Sequence, residues 1–192
     1  KISGAPASMT LMGLGTLPAS DPLSLGMLGM HGMYEANLAM HECDVMVNIG
    51  ARFDDRVTGR LDAFSPNSKK IHIDIDASSI QKNIKVDIPI VGDVEAIIEQ
   101  IIASWKKNNY SIENEALSAW WQKINEWKKI DCLSFQQNGE SIKPQYAIKR
   151  LYELTKDKNT IITTEVGQHQ MWAAQYYKFE KPNKLITSGG LG

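Results

Sequence analysis

Asp44-Val45-Met46-Val47-Asn48-Ile49-Gly50-Ala51-Arg52-Phe53-Asp54-Asp55-Arg56 is the stretch that decides the fold: an apolar, β-branched run stops at a glycine and passes directly into a charged loop. A run this short suits a buried strand better than a helix. A second of the same kind, Lys70-Ile71-His72-Ile73-Asp74-Ile75, ends at Asp76. Ala7 to Met12 reads as a further short strand that meets Gly13-Leu14-Gly15 and Pro18. Helical spacing separates these runs. Met33, Ala36, Asn37 and Met40 share one face of a short helix, and Ile97, Ile98, Ile101, Ile102 and Trp105 form a stripe after the N-cap candidate Asp93. Strands alternating with helices imply a parallel α/β sheet.

The texture changes near Trp105. Lys106-Lys107-Asn108-Asn109 is polar, and Leu117, Trp120, Trp121, Ile124 and Trp127 then recur at helical spacing, as in a linker carrying an amphipathic helix. Four of the five tryptophans fall between Trp105 and Trp127, and at this spacing they read as a packing face rather than a ligand box. A new unit begins near Ile142. Pro144 suits a first helical turn, and Tyr146, Ala147, Ile148, Leu151, Tyr152 and Leu154 supply the apolar face. Thr160-Ile161-Ile162-Thr163-Thr164 then reads as a strand running into Glu165-Val166-Gly167-Gln168-His169-Gln170, followed by a helical Met171-Trp172-Ala173-Ala174-Gln175. The glycine-rich ending Ser188-Gly189-Gly190-Leu191-Gly192, with no helix after it, is expected to be a truncation inside a domain.

The 192 residues are 43% hydrophobic and 22% charged, an ordinary globular composition. A net charge of -1 supplies no field for a nucleic-acid backbone or an anionic lipid surface, so neither partner is expected. No apolar run approaches the roughly 20 residues of a membrane span, and the first residues lack a signal-peptide core. A cytoplasmic protein is the expectation. Cys43 and Cys132 stand in no metal or disulfide spacing and read as free buried thiols.

Chemistry is sought first in the loops at strand ends, where open α/β sheets bind ligands. Gly13-Leu14-Gly15-Thr16-Leu17-Pro18 only mimics a dinucleotide fingerprint, because Pro18 stands where the third glycine belongs. Arg52, Asp54, Asp55 and Arg56 fit two readings equally: a self-paired salt-bridge loop, or an arginine fork for a phosphate or carboxylate. Asp74 and Asp76 offer acceptor carboxylates for ribose hydroxyls, but Asp76 is read first as the cap of a helix starting near Ser78 or Ser79. His31 lies among glycines that let a ligand approach the backbone. Gly167-Gln168-His169-Gln170 precedes a helix, where N–H groups can meet a diphosphate.

Taken together, these strings resemble the catalytic subunit of acetohydroxyacid synthases (acetolactate synthases), a family of thiamine-diphosphate enzymes. The strings are Thr10 to Gly15, Leu28 to Gly32 with Ala36-Asn37, Gly50 to Gly59, His72 to Asp76, Gly167 to Gln175 and Ser188 to Gly192. The resemblance implies the later part of a Rossmann-like central FAD-binding domain over residues 1–105, a linker over 106–140, and the beginning of a C-terminal thiamine-diphosphate-binding α/β domain over 141–192. Carried onto matching positions, FAD would meet Thr10, Leu11, Leu28, Gly29, Met30, His31, Gly50, Ala51, Arg52, Phe53, Asp54, Asp74, Ile75, Asp93 and Val94, with Gly189 and Gly190. Gln168, His169 and Gly192 would meet thiamine diphosphate.

The implied reaction decarboxylates pyruvate on thiamine diphosphate and condenses the hydroxyethyl unit with a second 2-keto acid, in branched-chain amino-acid biosynthesis. FAD would undergo no net redox change. A homodimer of catalytic subunits with a regulatory subunit is the implied assembly. The family's activating glutamate lies upstream of these residues and its magnesium motif downstream, so no catalytic or metal-binding residue is expected here, and the isolated fragment is expected to be inactive. Two alternatives remain open: another thiamine-diphosphate enzyme of the pyruvate oxidase or glyoxylate carboligase type, and a non-catalytic nucleotide-binding module.

Overall fold

The computed structural model describes residues 2–189. In chain order its elements are β1 (Ala7–Met9), β2 (Ser24–Met27), α1 (Tyr34–Glu42), β3 (Val45–Ile49), α2 (Asp55–Thr58), β4 (Lys69–Asp74), β5 (Ile88–Val91), α3 (Val94–Lys107), α4 (Asn114–Lys128), α5 (Pro144–Thr155), β6 (Ile162–Thr164), α6 (Gln168–Tyr176) and β7 (Leu185–Thr187). Every strand pair is parallel, which gives the expected mixed α/β fold. Among the described residues no helix is long and apolar enough to cross a membrane. The chain divides into two compact units. One is Leu38–Trp120, and the other joins the residues up to Asn37 with those from Trp121 onward.

The Leu38–Trp120 unit is built on a three-stranded sheet in the order β3-β4-β5. Val45 pairs with Lys69 and Ile49 with Ile73, while Ile71 pairs with Ile88 and Asp74 with Val91. Strand alternation puts Lys70, His72 and Asp74 on one face of β4, and all three are buried. This face carries the unit's core, in which Phe53, Phe64, Ile84 and Val86 pack with Met40, Met46, Val57 and Ile80. The buried Lys70 ammonium is satisfied by the carbonyls of Ser65 (2.7 Å) and Ser68 (3.1 Å). Asp93 caps α3 by accepting the Ala96 N–H at 3.1 Å, as its position before the isoleucine stripe predicts.

The helix expected after Asp76 does not form, and the segment is a series of turns. Its cause is local. The Asp76 carboxylate accepts the Ser78 N–H (2.8 Å) and the Ser78 and Ser79 hydroxyls, a closed network that competes with helical hydrogen bonding. The Ser78 hydroxyl and N–H hold the Asp76 carboxyl below the usual carboxylate range.

The other unit holds two two-stranded sheets, β1-β2 and β6-β7. Its core brings Met9, Leu14 and Met27 against Ala174, Tyr177, Phe179 and Leu185. The first strand is shorter than the sequence suggests, because Gly13 N–H bonds back to Thr10 and the chain turns into a single 3-10 turn at Leu11–Gly13. Strands β2 and β7 were not foreseen, since such short pieces carry too little alternation to register. In α4 Ile124 is fully buried, while Trp120, Trp121 and Trp127 are half-buried and the Trp121 indole donates to the Gly4 carbonyl at 2.9 Å. The cysteine expectation needs correcting. Both thiols are free, but Cys132 is exposed and only Cys43 is partly buried. Burial pushes the Cys43 thiol up, against hydrogen bonding from Ser65 and Ser68.

Candidate functional site

In the Leu38–Trp120 unit the residues expected to meet a nucleotide all gather at the carboxyl end of the sheet. Gly50 N–H bonds the Ile73 carbonyl (2.8 Å) and Gly92 N–H the Asp74 carbonyl (3.0 Å), so the loops after β3, β4 and β5 leave from one row. Gly50 has φ +63°, and the position a Cβ would take is open space. Side chains are absent where a ligand could approach the backbone.

The loop after β3 is held by residues that sequence reasoning missed. Asn83 donates to the carbonyls of Phe53 (2.9 Å) and Arg52 (3.3 Å), and Asn48 donates to the Ala51 carbonyl. Phe53 has φ +54°, a left-handed backbone that costs a bulky residue about 1–3 kcal/mol. Its buried ring offsets the strain by edge-on contact with Phe64 (5.6 Å) and His72 (5.1 Å). Next to this fixed point Arg52 pairs with Asp54 at 2.9 Å and Arg56 with Asp55 at 3.9 Å, all of them exposed to solvent. The self-paired reading therefore describes the loop as it stands. Exposed pairs are weakly held, so Arg52 can pass to an anionic ligand at little cost. A cavity of about 440 Å³ opens beside the loop, lined by Phe53, Asp54, Thr58, Lys82 and Asn83 among others.

Asp74 is buried, and its Oδ1 accepts the Asp76 N–H at 2.9 Å. Ile75 follows it with 70% of its surface exposed, and Asp93 and Val94 open α3. Fifty to fifty-four, seventy-four to seventy-five and ninety-three to ninety-four thus form one cluster within this unit.

In the other unit, Thr10 and Leu11 follow β1 and Leu28 to His31 follow β2, and the Leu28 N–H bonds the Met9 carbonyl at 3.2 Å. Asn37, in the first turns of α1, clamps Gly29 by accepting its N–H (2.7 Å) and donating to its carbonyl (2.9 Å). Gln175 in α6 donates to the His31 carbonyl at 2.9 Å, leaving the His31 ring and the Met30 side chain exposed. Replacing Asn37 by Ala removes both bonds from a buried glycine. Unfolding free energy should fall by about 1–3 kcal/mol, read by denaturant titration, and an unchanged midpoint would remove the clamp from the account.

Gln168 and His169 begin α6 after Gly167, and both are exposed at that helix start. Gln170, which sequence reasoning did not single out as a structural tie, is buried and donates to the Thr187 hydroxyl (2.6 Å) and the Ser188 carbonyl (3.3 Å). This fixes the start of α6 to the end of β7, where Ser188 N–H also bonds the Thr164 carbonyl at 3.2 Å. Gly189 follows with open space around it, whereas Gly190 and Gly192 lie outside the described residues. Among the described residues no group of three His, Cys, Asp or Glu side chains is placed to hold a metal ion.

Comparison with known proteins follows the same division of strings. The family model for the thiamine pyrophosphate enzyme central domain matches residues 2–101, and the model for the C-terminal TPP binding domain matches residues 165–192. The acetolactate synthase large subunit of Buchnera aphidicola subsp. Schlechtendalia chinensis is 50% identical over 187 residues, covering 97% of this chain and 32% of that protein. Acetolactate synthase isozyme 3 large subunit of Escherichia coli K12 is 47% identical with the same coverage. Acetolactate synthase 1, chloroplastic, of Nicotiana tabacum is 47% identical over 192 residues, all of this chain and 28% of that protein. The chain thus spans about a third of the length of the curated relatives it matches. With the central-domain match running through both clusters of strand-end loops, from Thr10 to Val94, the chain belongs to the thiamine pyrophosphate enzyme family.

Proposed function

We propose that the full-length protein is an acetolactate synthase catalytic subunit, which decarboxylates pyruvate and joins the two-carbon unit to a second 2-keto acid. The observation that carries this reading is identity of 47–50% with acetolactate synthase large subunits along 97% of the chain. The domain boundaries are proposed at residues 105 and 141, a division supported by family matches that end at 101 and begin at 165.

The residues present fit two cofactors. An FAD would be held by the strand-end loops: the exposed Arg52 suits its anionic part, the open backbone at Gly50 admits close approach, and the carboxylate of Asp74 suits its hydroxyls. The loops at Thr10-Leu11 and Leu28 to His31, with Ala51, Phe53, Asp54, Ile75, Asp93, Val94 and Gly189, complete the proposed set. Gln168 and His169 at the start of α6 suit the diphosphate of thiamine diphosphate, where helix N–H groups and the macrodipole favour an anion. Thiamine diphosphate, when bound, supplies the carbanion chemistry of decarboxylation and carbon–carbon bond formation. This chain's contribution is to bind and orient, because its described polar groups are loop backbone and side chains at strand ends. Magnesium ligands, the activating glutamate, the dimer partner and a regulatory subunit all belong to parts outside these residues in this proposal. The cytoplasm is the proposed location, supported by two free cysteines.

The test is acetolactate formation from pyruvate by the full-length protein, with FAD and thiamine diphosphate each omitted in turn. Either omission should remove activity. Activity without FAD would favour another thiamine-diphosphate enzyme, and no acetolactate under full supplementation would favour a non-catalytic nucleotide-binding module. The fragment alone should form no acetolactate.

A further inference from the structure

His72 sits in the middle of β4, wholly buried, and neither ring nitrogen has a hydrogen-bond partner among the described residues. An imidazole always carries at least one N–H, and burying such a group without a partner is costly. Lys70, on the same face of β4, shows the contrast, since carbonyls of Ser65 and Ser68 satisfy its ammonium. What lies nearest the imidazole is informative. Nε2 is 3.7 Å from Oδ2 of Asp74, two residues along the same face, and the ring meets the ring of Phe53 edge-on at 5.1 Å. His72 is therefore in contact range of both the Phe53 ring, in the strained loop after β3, and the carboxylate at the end of β4.

Among the described residues the Asp74 carboxylate accepts a hydrogen bond at Oδ1 alone, from the Asp76 N–H at 2.9 Å. Its Oδ2 must move by less than about 1 Å to reach ordinary hydrogen-bond distance from Nε2. Such a movement removes the orphan donor and orients the carboxylate, while the Phe53 contact couples it to the Arg52–Asp54 loop. We infer that His72 is a positioning residue for the flavin-nucleotide site: its Nε2–H donates to Asp74 when hydroxyls of the nucleotide engage that carboxylate. The inference rests on the FAD reading above and concerns how the site is set, which that reading leaves open. His72 itself stays beneath the site and touches no ligand.

The test is a double-mutant cycle in the full-length protein, freed of flavin and titrated with FAD while flavin fluorescence is followed. His72→Leu keeps an apolar filler without the donor and should weaken FAD binding tenfold or more. His72→Gln, which restores an N–H at similar reach, should bind within threefold of wild type. In an Asp74→Asn background, His72→Leu should change affinity less than twofold, because its effect passes through the carboxylate. A purely structural role predicts the opposite, with losses that multiply and no rescue by Gln. In the unmutated protein the His72 imidazole N–H resonance should move downfield when FAD is added, a readout that needs no variant to fold. Unchanged affinity in His72→Leu, failed rescue, multiplying losses or an unmoved resonance each overturns the inference. Wild type that binds no FAD overturns the flavin reading and this inference with it, whereas wild type that binds while the cycle fails overturns the inference alone.

Discussion

Replacing Gly15 by Ala should lower the stability of the unit that contains it by about 3 kcal/mol or more, among the largest effects of any single methyl group in this chain. The backbone there has φ +87°, which L side chains rarely adopt. An added Cβ would also stand 2.1 Å from the Lys181 carbonyl oxygen and 2.5 Å from its carbon, and backbone cannot rotate away as a flexible side chain can. Gly139 is the control, having the same φ of +87° with open space around it. Gly139→Ala should show the conformational cost alone, and Gly15→Ala that cost plus the clash. With about 1 kcal/mol of conformational cost common to both, thermal melts should separate the two variants by roughly 4 °C or more, taking about 2–4 °C per kcal/mol for a chain of this size. Coincident melts would mean that the contact between the Gly15 loop and the Lys181 segment does not exist as described.

Phe179→Ala should cost about 3–5 kcal/mol, the range for emptying an aromatic site in a packed core. Phe179 is only 2% exposed, and its ring lies 5.0 Å from that of Tyr177, which in turn meets Tyr152 at 5.4 Å. Met9, Leu14, Met27, Ala174 and Leu185 complete the cluster. The ring joins residues near the start of the chain to residues near its end, so truncation loosens contacts that no local structure replaces. Phe179→Leu keeps much of the volume and should lose less than half as much. Denaturant titration of both variants checks the order. A loss below about 1 kcal/mol for the Ala variant would show that the cluster is not the core of its unit.

Much of this fold was legible because its strands are short, apolar and end at turn formers. Val45 to Ile49 and Lys70 to Asp74 follow from short β-branched runs bounded by polar residues or turn formers, although Val45, Val47 and Ile49 are exposed where a buried strand is expected, and the α3 start follows from Asp93 ahead of an isoleucine stripe. The candidate site was legible for a related reason. Parallel strands deliver their following loops to one end, so Gly50 to Asp54, Asp74 and Asp93 fall together once the sheet is recognised. Asn83, Asn37 and Gln170 were not legible as supports, because each acts on backbone 8 to 31 residues away and an isolated amide side chain has no periodicity. The missing helix after Asp76 shows local chemistry outweighing a cap signal: the same carboxylate that suits an N-cap also closes a turn with Ser78 and Ser79.

By itself, then, the sequence determined the longer strands and helices and which loops carry the polar groups, since these depend on neighbours within a few residues, while β2, β7 and the turns after Asp76 were left to the folded chain. The tertiary structure alone decided that Met9 and Met27 share a core with Phe179 and Leu185, and that His72 is buried between Phe53 and Asp74 with neither ring nitrogen hydrogen-bonded among the described residues. The physical reason is that apolar burial is non-directional. Periodicity says that a face must be covered, and only the folded chain says by which residues.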